Sequence, residues 1–332
     1  MAAPRYADWQ AALADAVRDA RLLCRLVGID PPEQPADSAD FPVLVPKAFL
    51  ARIRPGDPAD PLLAQVIPQA AETAEVPGYS VDPLCEAAAL LAPSLLAPSL
   101  LAKYRGRILM VASPRCGVHC RYCFRRHFPY RDWTCRPPDW EPAIARIEAD
   151  STVDEVILSG GDPLTLSDRP LAALLNRLDS IAHLRRIRLH TRLPVVIPQR
   201  VTDNLLGSIR ALRLPLAVVI QVNHPAEIDD EVARAIGRLI EAGAMMLNQS
   251  VLLRGINDQV DTLAELSRRL IDLRVMPYYL HQLDRVSGTA HFEVAESVGV
   301  DLIARLRARL PGYAIPRYVR ETPGGASKEV LA

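Results

Sequence analysis

Short apolar runs that alternate with helical stretches constrain the fold of this chain more than any other feature. From residue 107 onward each run is long enough for one strand, and helical periodicity separates it from the next. The runs are Ile108–Ala112, Val153–Leu158, Ile187–Thr191, Leu216–Ile220, Met245–Gln249 and Pro277–Leu280. Repeated strand–helix units form a parallel sheet with right-handed crossovers. The pattern therefore predicts an α/β fold, a partial (β/α)6 barrel of the TIM type, with functional groups at the carboxyl ends of its strands.

The first 102 residues have a different character. Trp9, Leu13 and Val17 recur at near-helical spacing and predict an amphipathic helix within residues 5–27. From residue 30 to residue 83 prolines recur, which predicts short helices joined by extended turns. A five-residue duplication at residues 91–100 predicts a packed connector. We predict a mainly helical accessory region at residues 1–102 and the barrel at residues 103–332.

Composition and charge exclude several classes of protein. The chain has 332 residues, with 39 Lys and Arg against 39 Asp and Glu, and this neutral balance gives no support to a nucleic-acid or membrane surface. The first ten residues, MAAPRYADWQ, do not show the basic-then-apolar pattern of a signal peptide, and no apolar run approaches the ~20 residues of a membrane span. The six cysteines are not spaced as a disulfide framework, and reduced thiols indicate the cytoplasm. We expect a cytoplasmic enzyme, and the sequence leaves a homo-oligomer open.

Three cysteines follow the first predicted strand of the barrel. Cys116, Cys120 and Cys123 are separated by three and then two residues, a spacing at which thiolates can ligate three corners of a [4Fe–4S] cluster. The fourth iron is then left for a small molecule. A tetrahedral zinc site is the alternative, because Cys135 or a nearby histidine could supply a fourth ligand. Zinc ligands usually come as two short pairs, and the absence of a second C-x2-C pair favours the cluster.

A glycine-containing turn follows the second predicted strand. Consecutive glycines, Gly160 and Gly161, allow backbone amides to approach a ligand closely, and Asp162 can accept hydrogen bonds from an ammonium group or a ribose. An ordinary turn capped by Asp162 is the alternative. The position of the turn, one strand–helix unit after the cysteines, favours a ligand site.

Near the end of the chain, Lys328 lies on the loop Pro323–Lys328, which contains two glycines. Lysine amines form Schiff bases with pyridoxal phosphate, and a flexible loop lets the lysine move during the reaction. A solvated tail charge is the alternative. Pyridoxal phosphate also needs a phosphate anchor, and Lys103, Tyr104 and Arg107 offer cations and a phenol before the first strand.

Six segments together resemble the lysine 2,3-aminomutase family of radical S-adenosylmethionine enzymes, in matching order over most of residues 100–332. The segments are Lys103–Arg107, Cys116–Phe128, Ser159–Leu164, Asn248–Leu253, Pro277–Asp284 and Pro323–Lys328. The resemblance implies a barrel of the radical S-adenosylmethionine type. It also implies three cofactors, a [4Fe–4S] cluster, S-adenosylmethionine and pyridoxal phosphate. The implied reaction converts L-lysine to (R)-β-lysine, an isomerisation.

The resemblance also implies a role for each matching residue. Cys116, Cys120 and Cys123 match the cluster ligands, and Lys328 matches the pyridoxal lysine. The residues that match the substrate contacts are Arg125 for the carboxylate, and Asp284 and Glu321 for the side-chain ammonium. The residues that match the remaining cofactor contacts are Lys103, Tyr104, Arg107, Ser159, Gly160, Gly161, Asp162 and Gln249. These roles require that the cysteines and Lys328 meet in one cavity.

Several positions depart from the fermentative members of the family. Glu321 replaces an aspartate there and adds a methylene, and His281 replaces a tyrosine. Ala326 and Ser327 interrupt the glycine run before Lys328. The chain also ends without the cysteine-bearing extension of the long enzymes. This short form resembles the bacterial branch that makes (R)-β-lysine for attachment to elongation factor P by a separate ligase, and it implies an electron-donor protein.

Two alternatives to a lysine aminomutase stay open. The same chemistry on glutamate is disfavoured, because Asp284 and Glu321 would repel its side chain, whereas arginine is compatible by charge. The more distant alternative is a non-catalytic module that binds zinc or RNA through the arginines of the cysteine loop. Basic clustering is local and aromatic residues make up 5% of the chain, which disfavours RNA binding.

Overall fold

The computed structural model describes residues 6–31, 41–86, 99–130 and 140–332, without the side chains of Ala102 and Lys103. Residues 91–98 of the predicted connector at residues 91–100, the alternative zinc ligand Cys135 and the side chain of Lys103, predicted to contact phosphate, therefore lie outside the part of the chain that the structure describes. None of the described helices has both the length and the apolar composition needed to cross a membrane.

A single sheet organises the described residues. Its strands are β1 (Leu100–Tyr104), β2 (Arg107–Ser113), β3 (Glu155–Gly160), β4 (Arg186–Thr191), β5 (Leu216–Gln221), β6 (Met245–Val251), β7 (Met276–His281), β8 (Arg317–Arg320) and β9 (Glu329–Val330). They are hydrogen-bonded in sequence order. Strands β2 to β8 run parallel, and β1 and β9 add antiparallel edges.

The six predicted strands are confirmed as β2 to β7, and the sheet is larger than predicted. Burial explains the success, because β5 is buried along nearly its whole length and reads as a continuous apolar run. Strands β1, β8 and β9 were not predicted. Tyr104, expected before the first strand, is the last residue of β1, and the sequence of β8, Arg-Tyr-Val-Arg, is short and charged at both ends. All of β2 to β9 contribute to the lining of one cavity, so the sheet curves around it as a partial barrel does.

Helices cover the outer face of the sheet. Those of the barrel are α5 (Glu141–Ala149), α6 (Asp168–Asp179), α7 (Leu193–Val196), α8 (Asp203–Arg210), α9 (Asp230–Glu241), α10 (Val260–Asp272) and α11 (Glu296–Arg307). Helix α6 buries Leu171, Leu174, Leu175 and Leu178, the stripe that its periodicity predicts. Short 3-10 helices at Pro163–Thr165, Pro198–Arg200, Pro225–Glu227, Ala290–Phe292 and Gly312–Ala314 join the elements.

The accessory region consists of short helices packed on the barrel. They are α1 (Trp9–Ala14), α2 (Ala20–Val27), α3 (Lys47–Leu50) and α4 (Pro61–Ala64), followed by a 3-10 turn at Ala70–Thr73. The single predicted N-terminal helix is therefore two helices, because Val17 between them exchanges both backbone hydrogen bonds with Val45. Apolar side chains of this region join those of the barrel in one core. The predicted boundary at residue 102 falls within β1, and the division into two domains stays a prediction.

Candidate active site

One cavity of about 1010 Å³ lies inside the curved sheet and at the carboxyl ends of its parallel strands. Its lining contains Cys116, Cys120 and Cys123 from the loop after β2, and Lys328 from the loop before β9. Every other predicted site residue also lines it, with Lys103 outside the described side chains. The cysteines and the lysine thus meet as the sequence predicts, because the carboxyl ends of parallel strands share one edge of the sheet.

The accessory region holds the cysteine loop in place. The backbone N–H of His119 donates to Leu44 O at 3.0 Å, and that of Arg121 donates to Gln65 O at 2.9 Å. Buried Glu72 accepts from Arg121 Nε at 2.9 Å and from Arg126 Nη2 at 2.7 Å. These contacts come from a region in which the sequence predicts only packing, and they order the backbone that carries the three thiols.

The three cysteines fit an iron–sulfur cluster. All three are free thiols. Burial raises the pKa of Cys116 far above its usual range and that of Cys123 to about 12, so their thiolates need nearby positive charge, which iron supplies. Within the described part of the chain, no three His, Cys, Asp or Glu side chains are close enough to surround one metal ion. A cubane places its thiolates on separate irons, and the one loop that carries Cys116, Cys120 and Cys123 presents all three at the wall of the cavity.

The glycine turn after β3 packs directly on the cysteine loop. A Cβ on Gly160 would lie 2.4 Å from Ser113 O, and one on Gly161 would lie 2.3 Å from Arg115 O. The Gly161 N–H already donates to Ser113 O at 2.8 Å. The glycines therefore allow the turn to approach the loop backbone, in addition to any contact they make with a ligand.

The carboxylate of Asp162 orders the next strand end. It accepts hydrogen bonds from the backbone N–H of Leu164 at 2.9 Å and of Arg192 at 2.7 Å, and from Thr191 Oγ1 at 2.7 Å. Burial raises the pKa of Asp162 in spite of these hydrogen bonds. This is the capping geometry named above as the alternative, extended to β4, and a direct contact between Asp162 and S-adenosylmethionine stays a prediction.

A second group of residues surrounds Lys328. Its ammonium forms an ion pair with Glu321, and Tyr104 donates its hydroxyl proton to the same carboxylate at 2.8 Å. Burial and the charge of Glu321 raise the pKa of Tyr104, which keeps the phenol protonated. The Lys328 ammonium also lies 5.9 Å from the centre of the Tyr279 ring. Glu321, predicted as a substrate contact, is thus bound to two predicted cofactor contacts.

Sequence reasoning missed three residues of the cavity wall near Lys328. Arg188 on β4 and Arg317 on β8 add positive charge to that of Arg107. His190 on β4 has a buried Nε2 without a hydrogen-bond partner among the described residues. Burial, and then the positive charge of Arg188, lower its pKa well below the usual range, so the imidazole is neutral. An unpartnered buried nitrogen and three arginines suit an anionic ligand with further polar groups, as pyridoxal phosphate is.

Arg125 lines the cavity and already binds a carboxylate. Its Nε and Nη2 donate to Glu86 at 2.7 and 2.9 Å, and its Nη1 donates to Ser159 Oγ at 3.2 Å. Both members of the ion pair are buried. No local pattern marks Glu86, because it lies in the irregular accessory region and only the tertiary structure brings it to the cavity.

Asp284 lies three residues after the end of β7, at the carboxyl end of that strand. It lines the main cavity together with Glu321, and both also line a second cavity of about 600 Å³. The two carboxylates therefore border both spaces. Their predicted role, binding of the side-chain ammonium of the substrate, stays a prediction.

Comparison with known proteins identifies the family. Residues 110–266 match the model of the Radical SAM superfamily. The L-lysine 2,3-aminomutase of Escherichia coli is 42% identical over 99% of this chain and 95% of its own length, and that of Haemophilus influenzae is 40% identical over 98% and 96%. A solved radical SAM methyltransferase from Sphaerobacter thermophilus has a TM-score of 0.45 and 20% identity, with 66% of this chain and 68% of that chain covered. With such similarity along nearly the whole of two relatives, this chain belongs to the radical SAM lysine 2,3-aminomutase family.

Proposed function

We propose that this protein is an L-lysine 2,3-aminomutase, an isomerase that converts L-lysine to (R)-β-lysine. The observation that supports the proposal most is the convergence of the three cysteines and Lys328 on one cavity. A cluster site and a pyridoxal lysine in one cavity are the two requirements of the family's reaction. The cavity also has room for substrate and cofactors, since ligand sites commonly span about 300–1,000 Å³.

Each proposed cofactor has its own set of residues. Cys116, Cys120 and Cys123 would hold the cluster. The residues proposed for S-adenosylmethionine are Ser159, Gly160, Gly161, Asp162 and Gln249. Lys328 would carry pyridoxal phosphate, and the residues proposed for its phosphate are Lys103, Tyr104 and Arg107. When bound, these groups supply a radical that removes hydrogen from the substrate and a ring that stabilises the migrating amine.

Charge at the two ends of the cavity would orient the substrate. Arg125 offers a planar fork for the α-carboxylate, and Asp284 with Glu321 would attract the side-chain ammonium. Two fixed ends hold the reacting carbon at one position, which matters because a small misplacement costs rate and permits side reactions. A glutamate substrate would place its negative side chain against two carboxylates, so the charges favour lysine over glutamate.

Glu321 would serve two partners in turn. In the structure its carboxylate accepts from Lys328 and Tyr104. Covalent attachment of pyridoxal phosphate to Lys328 would remove the free ammonium from Glu321. The carboxylate would then be available to the side-chain ammonium of an incoming lysine.

Turnover of isotopically labelled L-lysine tests the proposed function. The protein is purified and reconstituted anaerobically, then assayed with dithionite and S-adenosylmethionine, with labelled L-arginine and L-glutamate in parallel. We expect β-lysine and no β-glutamate. Cluster-loaded, pyridoxal-loaded protein that forms no β-lysine would refute the proposal, and faster turnover of arginine would move the substrate to arginine.

The variant Glu321→Gln tests the substrate contact separately. Lysine binding should weaken, while the iron content should stay that of the parent protein. An unchanged lysine affinity would reject the assignment of Glu321.

The cellular setting forms part of the proposal. Similarity to the Escherichia coli aminomutase along 95% of its length supports a product destined for elongation factor P, attached by a separate ligase. An electron-donor protein would reduce the cluster in the cell. Free thiols and an oxygen-sensitive cluster both suit the reducing cytoplasm.

A further inference from the structure

Arg192 contacts one of the cluster cysteines and was not predicted from the sequence. It directly follows β4, and its Nη1 donates to Cys120 Sγ at 2.6 Å. Its side chain is 6% exposed. The contact joins a permanent positive charge to a sulfur that faces the cavity. Because water is largely excluded, the charge acts on the sulfur with little screening.

Three hydrogen bonds fix the position of Arg192. Its backbone N–H donates to Asp162 Oδ2 at 2.7 Å, and its Nη2 donates to Gln65 Oε1 at 2.7 Å and to Glu227 Oε2 at 2.9 Å. The guanidinium carbon also lies 5.6 Å from the centre of the Tyr122 ring. With both ends held, the guanidinium cannot turn away from Cys120 without breaking buried hydrogen bonds.

Glu227 anchors the arginine from behind. It is fully buried and accepts from the backbone N–H of Asn223 at 2.8 Å and of His224 at 3.0 Å. Asn223 Nδ2 in turn donates to the hydroxyl oxygen of Tyr122, between Cys120 and Cys123, at 2.7 Å. The cysteine loop and the arginine are thus parts of one rigid polar network. Such outer partners orient ligands and tune the metals they hold.

We propose that Arg192 is a positioning residue that raises the reduction potential of the [4Fe–4S] cluster through Cys120. Hydrogen bonds to ligand sulfurs and nearby charge set such potentials. Reduction adds one electron from an external one-electron donor and makes the cluster more negative, so a cation on the ligand sulfur stabilises the reduced form. Glu227 lowers the reduction potential, because its negative charge offsets part of the positive charge of Arg192. The inference rests on the cluster of the proposed function, and not on its substrate.

Four variants separate this electrostatic role from a structural one. Arg192→Gln removes the charge, Arg192→Lys keeps a charge without the fork, and Glu227→Gln removes the opposing charge at nearly constant shape. Arg200→Lys is the control, because Arg200 is fully buried and paired with Asp168. Each protein is reconstituted without lysine, its iron and sulfide are counted, and the midpoint potential is measured by a dithionite titration followed by electron paramagnetic resonance.

The expected shifts have opposite signs. Arg192→Gln should favour the oxidised cluster at least tenfold, which lowers the potential by about 59 mV for one electron. Arg192→Lys should lower it less, Glu227→Gln should raise it, and Arg200→Lys should leave it unchanged. Opposite shifts from two neighbouring substitutions follow from charge and not from general disruption of packing.

Three outcomes would overturn the proposal. The first is an unchanged potential in Arg192→Gln with full iron content, and the second is a shift of the same sign in Arg192→Gln and Glu227→Gln. The third applies when Arg192→Gln loses its cluster: the potential is then measured in Arg192→Lys, or in Glu227→Gln if Arg192→Lys loses its cluster as well. An unchanged potential in the variant so measured would overturn the proposal. Because lysine is absent from the assay, failure of the proposed reaction would appear as missing β-lysine with these shifts intact.

Discussion

Replacing Glu86 by glutamine tests how Arg125 binds the substrate. Glu86 accepts two hydrogen bonds from the Arg125 fork, at 2.7 and 2.9 Å, and the side chains are 7% and 6% exposed. A substrate carboxylate that uses the same fork must displace Glu86. Glu86 therefore competes with the substrate carboxylate for Arg125. A weaker bond between residue 86 and Arg125, as in Glu86→Gln, should strengthen lysine binding.

The size of the effect follows from the two hydrogen bonds. A hydrogen bond to a charged group contributes about 1.5–3 kcal/mol. Each Glu86 oxygen accepts one hydrogen bond from Arg125, whereas glutamine keeps one acceptor oxygen and its NH2 group cannot accept, so the hold on Arg125 should weaken by roughly the one lost hydrogen bond, about 1.5–3 kcal/mol. If this whole difference reaches the substrate, the affinity for lysine rises about 10–150-fold.

Lysine binding can be measured without turnover. Lysine is titrated into anaerobic, pyridoxal-loaded protein without S-adenosylmethionine, and the absorbance of the pyridoxal group reports binding. Asp168→Asn is the matched control, because Asp168 pairs with buried Arg200 instead of Arg125, and its affinity for lysine should equal that of the parent. Weaker binding in Glu86→Gln would show that Glu86 positions Arg125, and unchanged binding would place the substrate carboxylate elsewhere; either result refutes the reasoning.

Three further predictions concern the loop contacts and the pyridoxal lysine. Burial alone would raise the pKa of Glu72, but the hydrogen bonds and positive charges of Arg121 and Arg126 outweigh burial and lower the pKa below the usual 4.5. The stabilisation is therefore complete above pH 4.5 and is lost as the pH falls through the folded-state pKa. The urea midpoint of unfolding should fall less steeply with decreasing pH in Glu72→Gln than in the parent protein, and equal slopes would contradict this. In Gly161→Ala the added Cβ meets Arg115 O, and we expect a loss of about 1–3 kcal/mol of stability together with a lower iron content, whereas Gly207→Ala, with open space at its Cβ, should keep both; two equal Tm values would count against the close packing. Lys328→Ala should lose the pyridoxal adduct that borohydride traps but retain its iron, and a trapped adduct in this variant would assign the pyridoxal lysine elsewhere.

The sequence by itself determined the parallel strands and the loops that carry the chemistry. Runs such as Leu216–Ile220 are buried along their length, and burial leaves a local apolar signal that needs no knowledge of the rest of the chain. Strand β8 left no such signal, because its two ends are charged. The meeting of the cysteine loop with Lys328 followed from the family resemblance, because strands β8 and β9, which place Lys328 at the carboxyl edge, were not predicted.

Only the tertiary structure decided which partners the site residues have. Glu86 lies 39 positions from Arg125, Cys120 lies 72 from Arg192, and Tyr104 lies 217 from Glu321. Such pairs leave no periodic pattern, because a charged side chain in an irregular segment looks the same whether it faces water or a buried partner. Burial makes the difference: away from water each charge needs a partner, and the fold decides which one lies within reach.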